Sequence, residues 1–394
     1  MTKITAVTTD CNSSIKNIYN KDFSMQHLKL FLIACSMTLL GCGGGSGNDT
    51  THISTTLATD IPSDHASEES KDPTTASVVN NQWQLIWQDE FNDNNIDLNK
   101  WSFEVNCFGG GNDEQQCYTD REDNAFIEQG ILKIVALKEN FTGPAAHDDD
   151  TNYNLRNTRT LPYTSARLSS KNKGDWTFGR FEISAKLPQG QGTWPAIWML
   201  PTDWAYGGWA GSGEIDIMEA VNLKTQSDEA GASSGEEESR IHGTLHYGRA
   251  WPENFYSGKG FNLPEGVNPA DGFHEYAIEW QAGEMRWYVD DIHFATQRDT
   301  GWYSQYMNDE GLLIHGEGGA PFDQKFHLLL NFAVGGNWSA SVNDKGINES
   351  VFPQSLAIDY VRVYECSVSP LTGVGCATIG DDAMLVEGKQ APAL

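Results

Sequence analysis

From Trp83 to Tyr364 the sequence is a succession of short apolar runs with a two-residue period, and no long run repeats every 3.6 residues. In GRFEISAKL the apolar positions are Phe181, Ile183, Ala185 and Leu187. In HEYAIEW they are Tyr276, Ile278 and Trp280, in IDYVRVY Val361 and Val363, and in WQLIW Trp83, Leu85 and Trp87. Successive strand side chains point to opposite faces, so this alternation describes strands with one buried face. Gly, Asn and Asp between the runs supply turns. An antiparallel β-sandwich of many strands buries such faces.

The chain ahead of Trp83 has another texture. From Met25 it reads MQHLKLFLIACSMTLLGC, with Lys29 ahead of an apolar stretch from Leu30 to Leu40. That pattern is a signal-peptide core, too short for a folded spanning helix. It ends in Leu39-Leu40-Gly41-Cys42, which resembles the lipobox of bacterial lipoproteins and implies a lipid on Cys42. The expected organisation is a signal segment over 1–41, with Met25 as an alternative start, and a lipid-anchored flexible linker over 42–80. A folded domain over 81–366 and a C-terminal tail over 367–394 follow. The linker is rich in Gly, Ser, Thr and Asp, the composition of a tether. This organisation implies export and membrane anchoring, at the outer membrane or cell surface of a bacterium. Residues 222–240, NLKTQSDEAGASSGEEESR, interrupt the strands and read as a mobile acidic loop. The tail shows no strand patterning.

The formal net charge is −28, from 26 basic and 54 acidic residues. A field of that sign repels phosphate backbones and argues against nucleic acid as a partner. With 39% hydrophobic and 11% aromatic residues, the chain can build a packed core, which excludes global disorder. No apolar run reaches the length of a spanning helix. Of 7 cysteines, Cys11 and Cys35 precede the lipobox and Cys42 belongs to it. The remaining Cys107, Cys117, Cys366 and Cys376 allow three connectivities. Oxidising conditions after export favour disulfides, and the local pairs Cys107–Cys117 and Cys366–Cys376 are expected. No C-x-x-C and no flanking His cluster marks a zinc site.

The segment Gly213-Glu214-Ile215-Asp216-Ile217-Met218-Glu219-Ala220 carries the chemistry. In a strand the isoleucines point inward and Glu214 and Asp216 outward. Glu219 is five positions from Glu214 and would face the wrong side. One extra residue, a β-bulge near Ile217–Met218, returns it to the acidic face. The backbone span is then roughly 13 Å, which leaning side chains can close to the ~5–5.5 Å of a retaining glycosidase. Three carboxylates on one face must couple their protonation, with at least one pKa raised. That is the condition for an ionised nucleophile beside a protonated acid. A solvated acidic edge strand or a calcium site are the other readings of such a cluster.

GEIDIME resembles the E-x-D-x-x-E signature of glycoside hydrolase family 16 in its bulged form. TSARLSS, GRFEISAKLPQGQGTWPAIWMLP, IHGTLHYG, FHEYAIEW, LLLNFAVGGNW and IDYVRVY occur in the order of its bacterial laminarinase-like members. The resemblance covers about Trp83 to Glu365. It implies an all-β, concanavalin-like jelly-roll sandwich with an open substrate cleft on the concave sheet. It also implies Glu214 as nucleophile, Asp216 as its assistant and Glu219 as acid/base. On the glycone side it implies Asn112, in GGGNDEQQCYT, and Arg167; Asp113 and Gln115 depart from the family's segment there. Trp194, Trp198, Trp209 and Trp338 are candidate sugar platforms, since aromatic faces stack on the apolar faces of pyranose rings. For Trp198, core packing is an equal reading. His246 is expected near the leaving group. Many members carry a structural calcium, and the matching positions are Glu90, Asp359 and the carbonyl of Gly130; oxygen donors from distant segments suit that ion. The run Asp148–Asp150 reads as a solvated loop.

The expected activity is retaining, endo-acting hydrolysis of β-1,3-glucan, without a cofactor for the chemistry, by a monomer. Neighbouring readings are a mixed-linkage glucanase, a red-algal galactan hydrolase, a transglycosylase and a non-catalytic glucan-binding protein. Intact acids argue against the last. In the acidic loop, Asp228, Glu229 and Glu236 to Glu238 are expected to repel sulfated galactans.

Overall fold

The structure, a computed structural model, describes residues 82–228 and 236–394. The expected signal segment, the linker with Cys42, and residues 229–235 of the acidic loop lie outside the described residues.

Two sheets dominate. In the eight-stranded sheet the spatial order runs Asn254–Asn262, Arg240–Gly248, Glu214–Glu219, Thr193–Pro201, Phe326–Val334, Arg167–Ser169 and Ser102–Phe103, with Asp175–Trp176 off this path. In the eleven-stranded sheet, His274–Gln281, Gly179–Lys186 and Gln354–Cys366 are central neighbours. Nearly all pairings are antiparallel, and the one α-helix among the described residues is Gly336–Ser339.

The inward faces meet in one core. Phe181, Ile183, Ala185 and Leu187 lie in it with Tyr276, Ile278, Trp280, Val361 and Val363. Ile215, Ile217 and Met218 join from the other sheet. The alternation of the sequence therefore reports real faces, and it is the burial of both inner faces that stacks the sheets. WQLIW departs from it. A register shift between Leu85 and Trp87 rotates the strand, so Leu85 is exposed while Trp87 packs edge-on against Trp101 and Trp176.

The tail is also corrected. Met384–Val386 pairs in parallel with Ile292–Arg298, so the last residues extend the larger sheet. Disulfides join Cys107 to Cys117 and Cys366 to Cys376. The second sits where the tail leaves the sheet, and beyond it the Thr378 amide donates to Glu279 Oε2 at 2.9 Å. The Asp148–Asp150 run is more than solvated loop. Asp148 accepts from the amide of Val105 at 2.8 Å and from Asn106 Nδ2 at 2.7 Å.

Candidate active site

The bulge lies at Ile217. Across the strand pair, Glu219 faces Ala196, Met218 faces Ile197, Asp216 faces Trp198 and Ile215 faces Met199, which leaves Ile217 unpaired. Both Ile217 and Met218 stay in the core, so Glu214, Asp216 and Glu219 share the outward face. From the opposite sheet, the Trp287 indole donates to the Asp216 carbonyl at 2.9 Å. Gly243 makes room for that ring, since a Cβ there would sit 2.4 Å from Trp287 Cδ1. The bulge is thus satisfied from inside the core.

Each glutamate has its own indole. Trp209 Nε1 donates to Glu214 Oε2 at 2.6 Å, and Trp194 Nε1 to Glu219 Oε1 at 2.9 Å. Trp194 is buried, with Trp338 edge-on at 5.3 Å, so it orients the carboxylate rather than offering an open face. His246 lies directly across from Glu214. Its Nε2 is 3.2 Å from Asp216 Oδ2 and 3.5 Å from Glu214 Oε1. His246, expected near the leaving group, thus contacts Glu214 and Asp216 directly. The residue opposite Glu219 is His242, whose ring packs on Trp338 at 5.1 Å.

Burial and neighbouring charge shift these groups. Burial, then the charge of Asp216, pushes the Glu214 carboxyl up to about 7, against the opposing pull of His246 and the Trp209 N–H. Burial and Asp216 also raise Glu219, well above the usual carboxylate range. For His246 burial alone would lower the pKa; the charge of Glu214, then Asp216, lifts it to about 9. For His242, burial and then the charge of Arg240, against the opposing pull of Glu238, take the pKa down to about 4. Both glutamates are thus held above the usual carboxylate range, with His246 raised beside them.

Arg167 is buried, not a surface charge. Its guanidinium lies over Tyr118 at 4.5 Å and Trp198 at 5.1 Å, and NH1 meets Glu104 Oε2 at 3.2 Å. Burial alone would raise the Glu104 carboxyl, but Arg167 and then His147, 3.3 Å away, hold it at about 2. Trp198 belongs to this outward face and donates to Asn331 Oδ1 at 2.6 Å. Asn112 sits on an exposed loop whose carbonyl accepts from the Asn337 amide at 2.7 Å, which ties it to the helix carrying Trp338. Glu104, Tyr118, His147, His242 and Asn331 were not singled out from sequence. Only their register against Arg167 and Glu219 brings them in, and no local motif carries that.

The ends of the acidic loop are engaged elsewhere. Glu238 is buried against Arg240 at 2.6 Å and accepts from Ser227, and Asp228 accepts from the Asn343 amide at 2.7 Å. Glu237 accepts from Asn268. Of the acids expected to screen the cleft, Glu238 is buried and paired with Arg240, whereas Asp228 is exposed and meets the neutral Asn343 amide.

Of the expected calcium ligands, Asp359 is raised above its usual range by burial and by the neighbouring charge of Glu90. Gly130 takes a left-handed turn at φ 76 next to Asn92. The donor set suits an oxygen-seeking cation. However, both Glu90 oxygens already accept from Arg362, at 2.8 and 2.9 Å. Among the described residues, the one group of His and acids close enough to share an ion is Glu214, Asp216 and His246, whose atoms lie within 4.8 Å of one another.

Comparison with known proteins places these features in a lineage. Residues 111–311 match the family model of glycosyl hydrolases family 16. The chain is 39% identical over 289 residues to a β-glucanase of Rhodothermus marinus, covering 72% of this chain and 85% of that one. It is 37% identical to glucan endo-1,3-beta-glucosidase A1 of Niallia circulans, over 71% of this chain but only 38% of that protein's length. The laminarinase structure from Rhodothermus marinus superposes with a TM-score of 0.53 at 37% identity, covering 72% of this chain and 97% of that one. With the bulged acidic strand, its two indole donors and this degree of likeness, the chain belongs to glycosyl hydrolases family 16.

Proposed function

We propose that this protein is a retaining endo-glycoside hydrolase acting on β-1,3-glucan of the laminarin type. The observation that carries the reading is the bulged strand that sets Glu214 and Glu219 on one face, each held by its own indole, with burial and Asp216 raising both carboxyls. Glu214, ionised beside the 246 imidazolium, attacks the anomeric carbon while Glu219 gives its proton to the leaving oxygen. Glu219, then ionised, takes a proton from water, which displaces Glu214 and regenerates both groups. Asp216 raises both glutamates and anchors His246. No cofactor enters these steps.

Likeness to proteins named for 1,3-β-glucan and laminarin supports the linkage. The test is product analysis on laminarin, lichenan, agarose and carrageenan. Laminarin should be cut fastest, to a ladder of oligosaccharides with retained anomeric configuration. Faster cleavage of a galactan would overturn the substrate, and an inverted product the mechanism.

Three further features belong to the same reading. Lipidation of Cys42 tethers the enzyme to a bacterial membrane, at the outer membrane or cell surface, and Cys42→Ala should move it from the membrane pellet to the soluble fraction. Calcium, held by Asp359, the Gly130 carbonyl and a Glu90 freed from Arg362, stabilises the sandwich away from the acids; chelation should lower the melting temperature and leave initial rates unchanged. The enzyme works as a monomer, which sedimentation checks.

A further inference from the structure

The outward row through the nucleophile continues past His246. Across the strand pairs, Glu214 faces His246 and His246 faces Tyr256, so all three side chains share one face. The rings step outward from Trp209 to His246 at 5.6 Å and from His246 to Tyr256 at 5.7 Å, tilted by 40° and 33°. Tyr256 is 66% exposed, on the last strand of this sheet. Its neighbour Phe255 points the other way, against Tyr247, and Lys389 of the tail lies over it at 4.6 Å. At the next alternate positions, Gly258 and Gly260 carry no side chain, and a Cβ at Gly258 would sit 2.3 Å from the Gly243 carbonyl. Between Tyr256 and Asn262 this strand therefore raises no side chain of its own on that face, where the His242 ring lies beside Gly260. Trp251, 72% exposed, projects from the loop before this strand, and its amide donates to the Trp209 carbonyl at 2.7 Å.

Exposed aromatics contiguous with a row of reacting groups mark a ligand-binding groove rather than ordinary surface. We propose that Tyr256, with Trp251 of the loop before its strand, is a sugar platform on the acceptor side of the cleft, taking a β-glucan residue beyond the one next to the cleaved bond. The continuity of the row with Glu214 names the occupant, and Arg167 lies on the other side of the catalytic strand. Two strand spacings put Tyr256 about 10 Å from Glu214, past the leaving group of a short aryl glycoside. The proposal rests on the glucanase reading and adds the side chain that grips the departing chain.

Tyr256→Ala should lower kcat/KM on laminarin by about ten-fold, the size expected for one lost aromatic face. It should leave an aryl β-laminaribioside unaffected, and it should cut transglycosylation to added laminari-oligosaccharides. Tyr256→Phe keeps the face and should behave as wild type, and Trp251→Ala should show a weaker form of the same selective loss. Unchanged laminarin kinetics in Tyr256→Ala overturns the platform while the glucanase reading stands. Equal losses on both substrates also overturn it, since the ring would then act only through His246. A wild-type dimer that Tyr256→Ala splits with unchanged kinetics assigns the face to a second copy instead. A wild type inert on laminarin sinks the glucanase reading itself.

Discussion

The outward faces of the two sheets each hold a cluster of acids, and the clusters differ in the counter-charge that meets them. On the smaller sheet, Glu214 and Asp216 meet the imidazole of His246, at 3.5 and 3.2 Å, and Glu219 shares their face. On the larger sheet, Glu182, Glu275 and Glu279 surround Arg180, at 2.6, 3.7 and 3.1 Å, and Arg286 reaches Glu279 at 3.5 Å. A guanidinium keeps its charge at any pH the protein meets, so it locks its acids as structure. An imidazole can give its charge up, so its acids remain available to a substrate. The larger sheet is closed over as well, by Trp83 Nε1 and the Thr378 amide on Glu279. What separates chemistry from scaffolding here is the permanence of the counter-charge.

The strongest way to break this contrast is to swap one acid from each side. Glu214→Gln should reduce turnover on the order of 10⁴-fold or more, with no loss of melting temperature. Substantial activity in the folded variant would remove the nucleophile assignment. Next in size is Arg180→Met. Stranding the acids around it should cost roughly 3–5 kcal/mol of stability, while the kcat of the folded fraction stays at the wild-type level. Denaturant unfolding and active-site-normalised rates measure the two halves. If stability holds, the guanidinium is no lock.

Trp287→Phe lies between the two regions, because its indole satisfies the bulge carbonyl from within the core. Losing that donor should cost about 1–3 kcal/mol and lower kcat more than KM rises, as Glu219 loses its register. A purely structural indole would leave kcat alone.

A smaller effect tests Glu275, whose carboxyl burial and the charge of Glu182 raise to about 7 from 4.5. Its folded pKa exceeds its unfolded one, so the native state holds an extra proton and loses stability as pH rises through that window. Glu275→Gln should flatten the decline by about 2 kcal/mol in urea titrations across those pH values. Parallel curves for the two proteins contradict it. The smallest shift is expected from Trp209→Phe. Without the indole donor, the Glu214 carboxyl rises further, so the acidic limb of kcat/KM moves upward by less than about one pH unit. A limb that stays put would assign that titration to another group.

The core strands were legible because their alternation is local and both inner faces are buried. Phe181 through Leu187 and Tyr276 through Trp280 sit where a two-residue period puts them. GEIDIME was legible for a similar reason: parity alone demands an extra residue if three acids are to share a face, and Ile217 supplies it. WQLIW misled because its bulge has no such marker, and the tail because a three-residue parallel strand carries too little pattern to notice.

The sequence by itself determined that strands form, which faces they bury, and which three acids share one of them, since each follows from spacing along one segment. Only the tertiary structure decided who attends those acids. His246 is placed by the register of a neighbouring strand, Trp287 by the stacking of the opposite sheet, and Glu104 by its pairing with Arg167 across 63 residues. Charge–charge energies depend on distances of a few ångströms and on exclusion of water. Those are set by packing between distant segments, so the raised pKa values of Glu219 and Glu214 are a property of the fold.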